Sequence, residues 1–168
     1  GVGEMAKLHL MNGKADTKTF INDLPLIDKL DSKTLLERTQ NCLKIKKSYI
    51  EDDEFDTGKR NMLNYGHCFG HAIESSTDFA ISHGQAVVAG MILANKEAVK
   101  MGLLKPETEE FIRKNVLEPV LVVKVPEFDA DKTVAAMGQL HYKECCILKV
   151  LRQLQWSNLL HPPLLLNT

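Results

Sequence analysis

Three of the chain's six histidines, His67, His71 and His83, fall in one short stretch, with His9 far upstream. His67 and His71 are four residues apart, so a helix would set both rings on one face. A neutral imidazole is a good zinc ligand, and a carboxylate often completes a catalytic set of three protein ligands with one position open. The spacing admits two pairings: His67 with His71, or one of them with His83, twelve residues beyond His71. Cys68 stands where the glutamate of an HExxH metalloprotease motif would be, which argues against that chemistry. Glycine-flanked histidines can equally cap helices or bond to buried carbonyls, and spacing alone leaves that reading open.

Basic residues add a second signal. Lys7 lies three residues after Glu4, on the same face of a short helix. Lys46 falls within the apolar stripe of its helix, and Arg60 leads into the histidine segment. Inward cations beside candidate metal ligands point to an anionic substrate, a carboxylate or phosphate, which arginine grips with a bidentate fork. Any one of them alone could be snorkelling or pairing at the surface. The acidic run Asp52, Asp53, Glu54 and Asp56 reads as a solvated loop, because carboxylates adjacent in a turn mostly face water.

The elements that must position these groups read as helix after helix. Helices are expected over Glu4 to Met11, over Asp16 to Leu24 with a stop at Pro25, and over Ser32 to Glu51 with Ser32 as N-cap. In the last, Leu35, Leu36, Thr39, Leu43, Lys46 and Ile50 recur at helical spacing. Further helices are expected over Phe69 to Phe79, over Gln85 to Met101 with Gly102 as C-terminal cap, from Pro106 to about Val116, and from near Asp131. Val120 to Val125 is a lone β-branched run, too isolated for a sheet. An all-α fold follows.

Composition is that of a globular domain, with 44% hydrophobic and 26% charged residues. Twenty-one Lys and Arg against 22 Asp and Glu give a net charge of −1, which argues against a nucleic-acid partner held by bulk charge. No apolar run approaches the roughly 20 residues of a membrane helix, so no membrane partner is expected. Cys42, Cys68, Cys145 and Cys146 form no CxxC pair, so a reducing, cytoplasmic setting is expected. The chain opens on Gly1 without an initiator Met, close to its first helix, and reads as cut from something longer. Residues 138–168 read as a divergent, leucine-rich tail following a helical domain at 1–137.

Four ordered segments carry a resemblance: Gly3-Glu4-Met5-Ala6-Lys7, Asp53 to Arg60, Leu63 to Glu74 with its Asn-Tyr-Gly-His-Cys-Phe-Gly-His run, and His83 to Met91. Over roughly Gly1 to Met137 the chain resembles the C-terminal domain of the 3-dehydroquinate synthases and related sugar-phosphate cyclases. The resemblance implies a helical metal- and substrate-binding domain that works with a separate N-terminal α/β domain carrying NAD, in a parent that commonly forms a homodimer. It implies conversion of 3-deoxy-arabino-heptulosonate 7-phosphate to 3-dehydroquinate with loss of phosphate, on the shikimate route to aromatic amino acids. Glu4, His67 and His83 fall on the family's zinc ligands, with cobalt as a conceivable substitute, and His71 falls on a substrate position near the phosphate. Lys7, Lys46, Arg60 and Asn64 also fall on substrate-binding positions. By this resemblance Arg60 and Lys46 serve the carboxylate, Asn64 and His71 the phosphate, and Lys7 a hydroxyl or the carboxylate. Lys7 and His71 are the implied catalytic pair.

Asn64 and His71 favour dehydroquinate synthase over cyclases of the 2-deoxy-scyllo-inosose synthase type, which stand as the alternative along with a non-catalytic helical interaction fragment. Two departures bear on activity. No glycine-rich dinucleotide loop occurs, so no NAD site is expected in this chain and the chain alone is expected to be inactive. Where the family carries an Asp-Lys-Lys-like phosphate segment, Leu140-His141-Tyr142 stands instead.

Overall fold

The computed structural model describes residues 1–55, 58 and 60–122. The segment from Asp131, the Leu140-His141-Tyr142 stretch and the leucine-rich tail lie outside them. The described residues are all-α, with no strand among them. The helices are α1 (Val2–Met11), α2 (Lys14–Asp28), α3 (Ser32–Glu51), α4 (His67–Ser76), α5 (His83–Lys100), α6 (Pro106–Ile112) and α7 (Glu118–Val120). A 3-10 turn, Arg60–Asn64, precedes α4, and a π-turn, Arg113–Leu117, joins α6 to α7.

α1 is the hub. Ala6, Leu8, Leu10 and Met11 are buried, and so are the polar Lys7 and His9. A helix that hides nearly every side must be surrounded, and α2, α3, α5 and the π-turn all pack on α1. The main core also takes Phe20 and Ile27 of α2, Ile45 and Tyr49 of α3, and Val87, Val88 and Met91 of α5. Buried His9 is kept satisfied: its Nδ1 lies 2.8 Å from the Met5 carbonyl, and its ring stacks on Phe20 at 5.0 Å.

α4 and α5 pack against each other most closely. A Cβ on Gly90 would overlap the Gly66 carbonyl oxygen and stand 2.7 Å from the Gly70 nitrogen. A Cβ on Gly3 would overlap the Gly84 carbonyl oxygen. These contacts bring the N-terminal ends of α1, α4 and α5 together, and each of those ends bears a candidate metal ligand.

Several local expectations need correction. α2 does not stop at Pro25 but runs to Asp28, because Ile27, 2% exposed, gains a core position beyond the proline. It ends instead at Leu30, whose φ of 57° is left-handed, with Asp31 N–H donating to the Leu26 carbonyl at 3.0 Å. The N-cap of α3 is Asp31, not Ser32; its carboxylate accepts from the Thr34 N–H at 2.8 Å and hydroxyl at 2.7 Å. The buried face of α3 is Thr34, Cys42, Ile45 and Tyr49, so Leu36 and Leu43, 58% and 63% exposed, face outward. Lys46 is therefore exposed at the edge of that face rather than within an apolar stripe.

α4 begins at His67 rather than Phe69 and stops at Ser76 rather than Phe79, as Asp78 and Phe79 turn left-handed. α5 starts at His83. Gly102 ends it with φ 70°, as expected of a glycine cap, and the Leu103 N–H donates to the Ala98 carbonyl. The helical path from Pro106 passes Val116 to reach Val120, so the β-branched run begins inside a helix.

Candidate active site

α1 carries Glu4, the first residue of α4 is His67, and the first residue of α5 is His83. The three converge. Glu4 Oε1 lies 3.7 Å from His67 Nε2 and 4.0 Å from His83 Nε2. Zinc bonds of about 2.0–2.2 Å in a tetrahedral shell set donor atoms roughly 3.3–3.5 Å apart, so a small inward movement would close the set. Two further observations fit a cation here. Glu4 Oε1 is buried and has no hydrogen-bond donor among the described residues. Both imidazoles also direct an unprotonated nitrogen to that point: His67 Nδ1 bonds to the Tyr65 carbonyl at 3.2 Å and His83 Nδ1 to Glu74 Oε1 at 3.1 Å. Carbonyls and carboxylates only accept, so a neutral ring carries its proton on Nδ1 and leaves the Nε2 lone pair bare.

Electrostatics reinforce this. Burial, with the nearby Lys7 ammonium, pushes the His67 ring down to about 4, so it is neutral at ordinary pH. Burial tends to raise the Glu4 carboxyl, but the Lys7 ammonium, by its charge and its hydrogen bond, outweighs it and holds the group below its usual value. Lys7 is itself only 3% exposed, and its Nζ donates to the Leu63 carbonyl at 2.6 Å and to Glu4 Oε2 at 2.9 Å. Burial lowers its pKa despite that partner.

A cavity of about 460 Å³ opens beside this cluster. Glu4, Lys7, Lys46, Arg60, Asn64, His67 and His83 line it, seven of the eight site residues named from the sequence, and Leu8, Ile50 and Leu63 form its apolar part. Three cations against one carboxylate suit an anionic ligand. His71 stands just outside the lining, its ring centroid 5.5 Å from that of His67 and 5.7 Å from that of His83.

Two residues escaped sequence reasoning. Glu74 bonds through Oε2 to His71 Nδ1 at 2.9 Å and through Oε1 to His83; its position three residues after His71 was the available signal. Asp53 is not a solvated loop residue. It is 9% exposed, and its Oδ2 accepts from the backbone N–H of Gly58 at 2.8 Å and of Arg60 at 2.9 Å, which anchors the backbone at Arg60, the start of the 3-10 turn. Its place at the head of the Asp53 to Arg60 segment that carries the family resemblance was the available signal.

Fold and site together define a helical domain with two histidines and a carboxylate grouped so that they could hold a cation, at the edge of a pocket lined by Lys7, Lys46 and Arg60. The family described as 3-dehydroquinate synthase C-terminal matches residues 1–142. The chain belongs to that family. Curated relatives named 3-dehydroquinate synthase include those of Dehalococcoides mccartyi, 32% identical over 82% of this chain and 38% of the relative, Wolinella succinogenes, 39% identical over 68% and 32%, and Nitrosospira multiformis, 30% identical over 82% and 38%. The chain thus spans about a third of the length of these curated relatives, 32–38%. No helix among the described residues is long and apolar enough to cross a membrane.

Proposed function

We propose that this chain is the metal- and substrate-binding part of a cytoplasmic 3-dehydroquinate synthase, a phosphate-eliminating lyase that converts 3-deoxy-arabino-heptulosonate 7-phosphate to 3-dehydroquinate. The reading rests on one observation above the others. Glu4, His67 and His83 direct a bare carboxylate oxygen and two bare imidazole nitrogens at one point on the wall of a cationic pocket. Glu4, His67 and His83 would hold zinc, or cobalt in its place. The ion supplies Lewis acidity that polarises a substrate hydroxyl. NAD would be bound by a partner domain outside these residues, in a parent that pairs as a homodimer.

The chain's own residues do the rest. Arg60 and Lys46 grip the substrate carboxylate, and Asn64 orients the phosphate end. Lys7 has three N–H donors, of which two are engaged by Leu63 and Glu4, so one remains for a substrate oxygen. His71, its Nδ1 occupied by Glu74, presents Nε2 to exchange a proton beside the phosphate. Together these groups fix a multiply charged substrate in one pose before any bond breaks.

The test is zinc titration of the chain against a chromophoric chelator, with phosphate elimination followed in the protein that also carries the nucleotide domain. One zinc per chain, abolished by His83→Ala, is expected. Failure to bind zinc at saturating metal would overturn the metal centre. Turnover of a different heptose phosphate in preference to the proposed substrate would reassign the cyclase.

A further inference from the structure

The Glu74 carboxylate is 10% exposed and makes two hydrogen bonds, one from each of its oxygens. Oε2 meets His71 Nδ1 at 2.9 Å, within α4. Oε1 meets His83 Nδ1 at 3.1 Å, across to the first residue of α5. A carboxylate only accepts, so both rings must present an N–H to it. Each ring's Nε2 is then left bare; that of His83 faces Glu4, and the His71 ring lies 5.5 Å from the ring of His67, which lines the pocket. His67 reaches the same state by a different route, through the Tyr65 carbonyl.

We infer that Glu74 is a positioning residue whose single carboxylate locks His83 and His71 together in the Nδ1–H tautomer, tying a metal-facing ring to a substrate-facing ring. The inference deepens the function proposed above and rests on it for the meaning of the two rings, but not for the tautomers themselves. His71, Glu74 and His83 also lie close enough to be weighed as a second cation site. Against that, both nitrogen–oxygen separations, 2.9 and 3.1 Å, are hydrogen-bond lengths, shorter than the roughly 3.3–3.5 Å between two donors on one zinc ion. In a carboxylate–histidine–metal arrangement the outer carboxylate orients the ring and raises its basicity, and its loss typically weakens metal binding about 10- to 100-fold.

Glu74→Gln keeps the shape but offers one acceptor oxygen and an NH2 group, so it can serve only one of the two rings in the Nδ1–H form. Two measurements decide the matter. The first is long-range 15N–1H correlation of the imidazoles in the metal-free full chain, at a pH well above the ordinary histidine pKa of about 6.5. Wild type should show His71 and His83 as Nδ1–H, and Glu74→Gln should convert at least one to Nε2–H. The second is zinc affinity, expected to fall about 10- to 100-fold in Glu74→Ala, which leaves neither ring an acceptor, and to stay within about twofold of wild type in His71→Ala, since His71 is not one of the three residues that would hold the ion. The inference is overturned by Nε2–H rings in wild type, by unchanged tautomers in Glu74→Gln, by undiminished zinc affinity in Glu74→Ala, or by a second zinc per chain that Glu74→Ala removes. The wild-type tautomers settle the point even if the variant fails to fold. A wild-type chain with the expected tautomers and no zinc affinity would sink the proposed metal centre while leaving the role of Glu74 standing.

Discussion

Replacing Lys7 with methionine removes a buried charge beside Glu4 and His67 while keeping the aliphatic stem. Lys7 Nζ serves two acceptors, the Leu63 carbonyl at 2.6 Å and Glu4 Oε2 at 2.9 Å. Stranding a buried carbonyl costs about 1–3 kcal/mol. Removing one partner of a fully buried ion pair costs about 3–5 kcal/mol. The Glu4 side chain is 35% exposed, so water takes over part of the lost pairing and that second figure falls to about half. The two penalties overlap, and their sum should come to about 3 kcal/mol in the metal-free chain, read as the change in unfolding free energy in urea. Glu4→Gln in the same background neutralises the stranded carboxylate and should recover about 1–2 kcal/mol. Saturating zinc, by supplying Glu4 with a new positive neighbour, should shrink the Lys7→Met penalty. A Lys7→Met chain within about 0.5 kcal/mol of wild type, or a double variant as unstable as the summed singles, would refute the claim that Lys7 and Glu4 sustain each other.

Acid should destabilise the metal-free chain earlier than carboxylates alone would predict. The His67 pKa is about 4 when folded, so as pH falls from about 6.5 the unfolded chain takes up the proton first and stability drops until about pH 4. The loss from this ring is at most about 3 kcal/mol, and Glu4, with its lowered folded pKa, adds a loss of the same sign at lower pH. Urea midpoints compared between neutral and mildly acidic buffer, for wild type and His67→Gln, should show that the early loss depends on His67. Gly90→Ala should lower the unfolding temperature at a cost of about 1–3 kcal/mol or more, because its methyl collides with the Gly66 carbonyl and prises α4 from α5; zinc affinity should fall with it, since His67 follows Gly66. Asp53→Ala should release the Gly58 and Arg60 amides and loosen the Arg60 turn. In the complete enzyme this should raise KM more than it lowers kcat, and a fall in kcat with KM unchanged would remove Arg60 from ground-state binding.

Helical character was legible because it is written locally. Spacing near 3.6 residues marked most helices, and Gly102 marked the end of α5. Phase was harder to read. In α3 the leucines at 36 and 43 lie on the solvent side, while Cys42 and Ile45 are buried, Cys42 with its Sγ 3.7 Å from His9 Nδ1 of α1. Which stripe is buried depends on where the neighbouring helix lies, and side-chain hydrophobicity does not report that. Pro25 was misread for a related reason: the core contact of Ile27 outweighed a local helix-breaking tendency.

The sequence by itself determined an all-helical chain, a supply of imidazoles and carboxylates suited to a divalent cation, and a set of cations suited to an anion. The choice among histidines was beyond spacing alone, because His67 can pair with His71 on one helix or with His83 on another. The family resemblance selected Glu4, His67 and His83, but the tertiary structure supplied what neither spacing nor resemblance held, the approach of Glu4 of α1 to His67 and His83 and the turn of His71 to Glu74. The physical reason lies in contacts between segments remote in sequence. Gly3 against Gly84 and Gly66 against Gly90 let backbones approach to distances no other residue permits, and that approach carries the three ligand-bearing helix ends to one point.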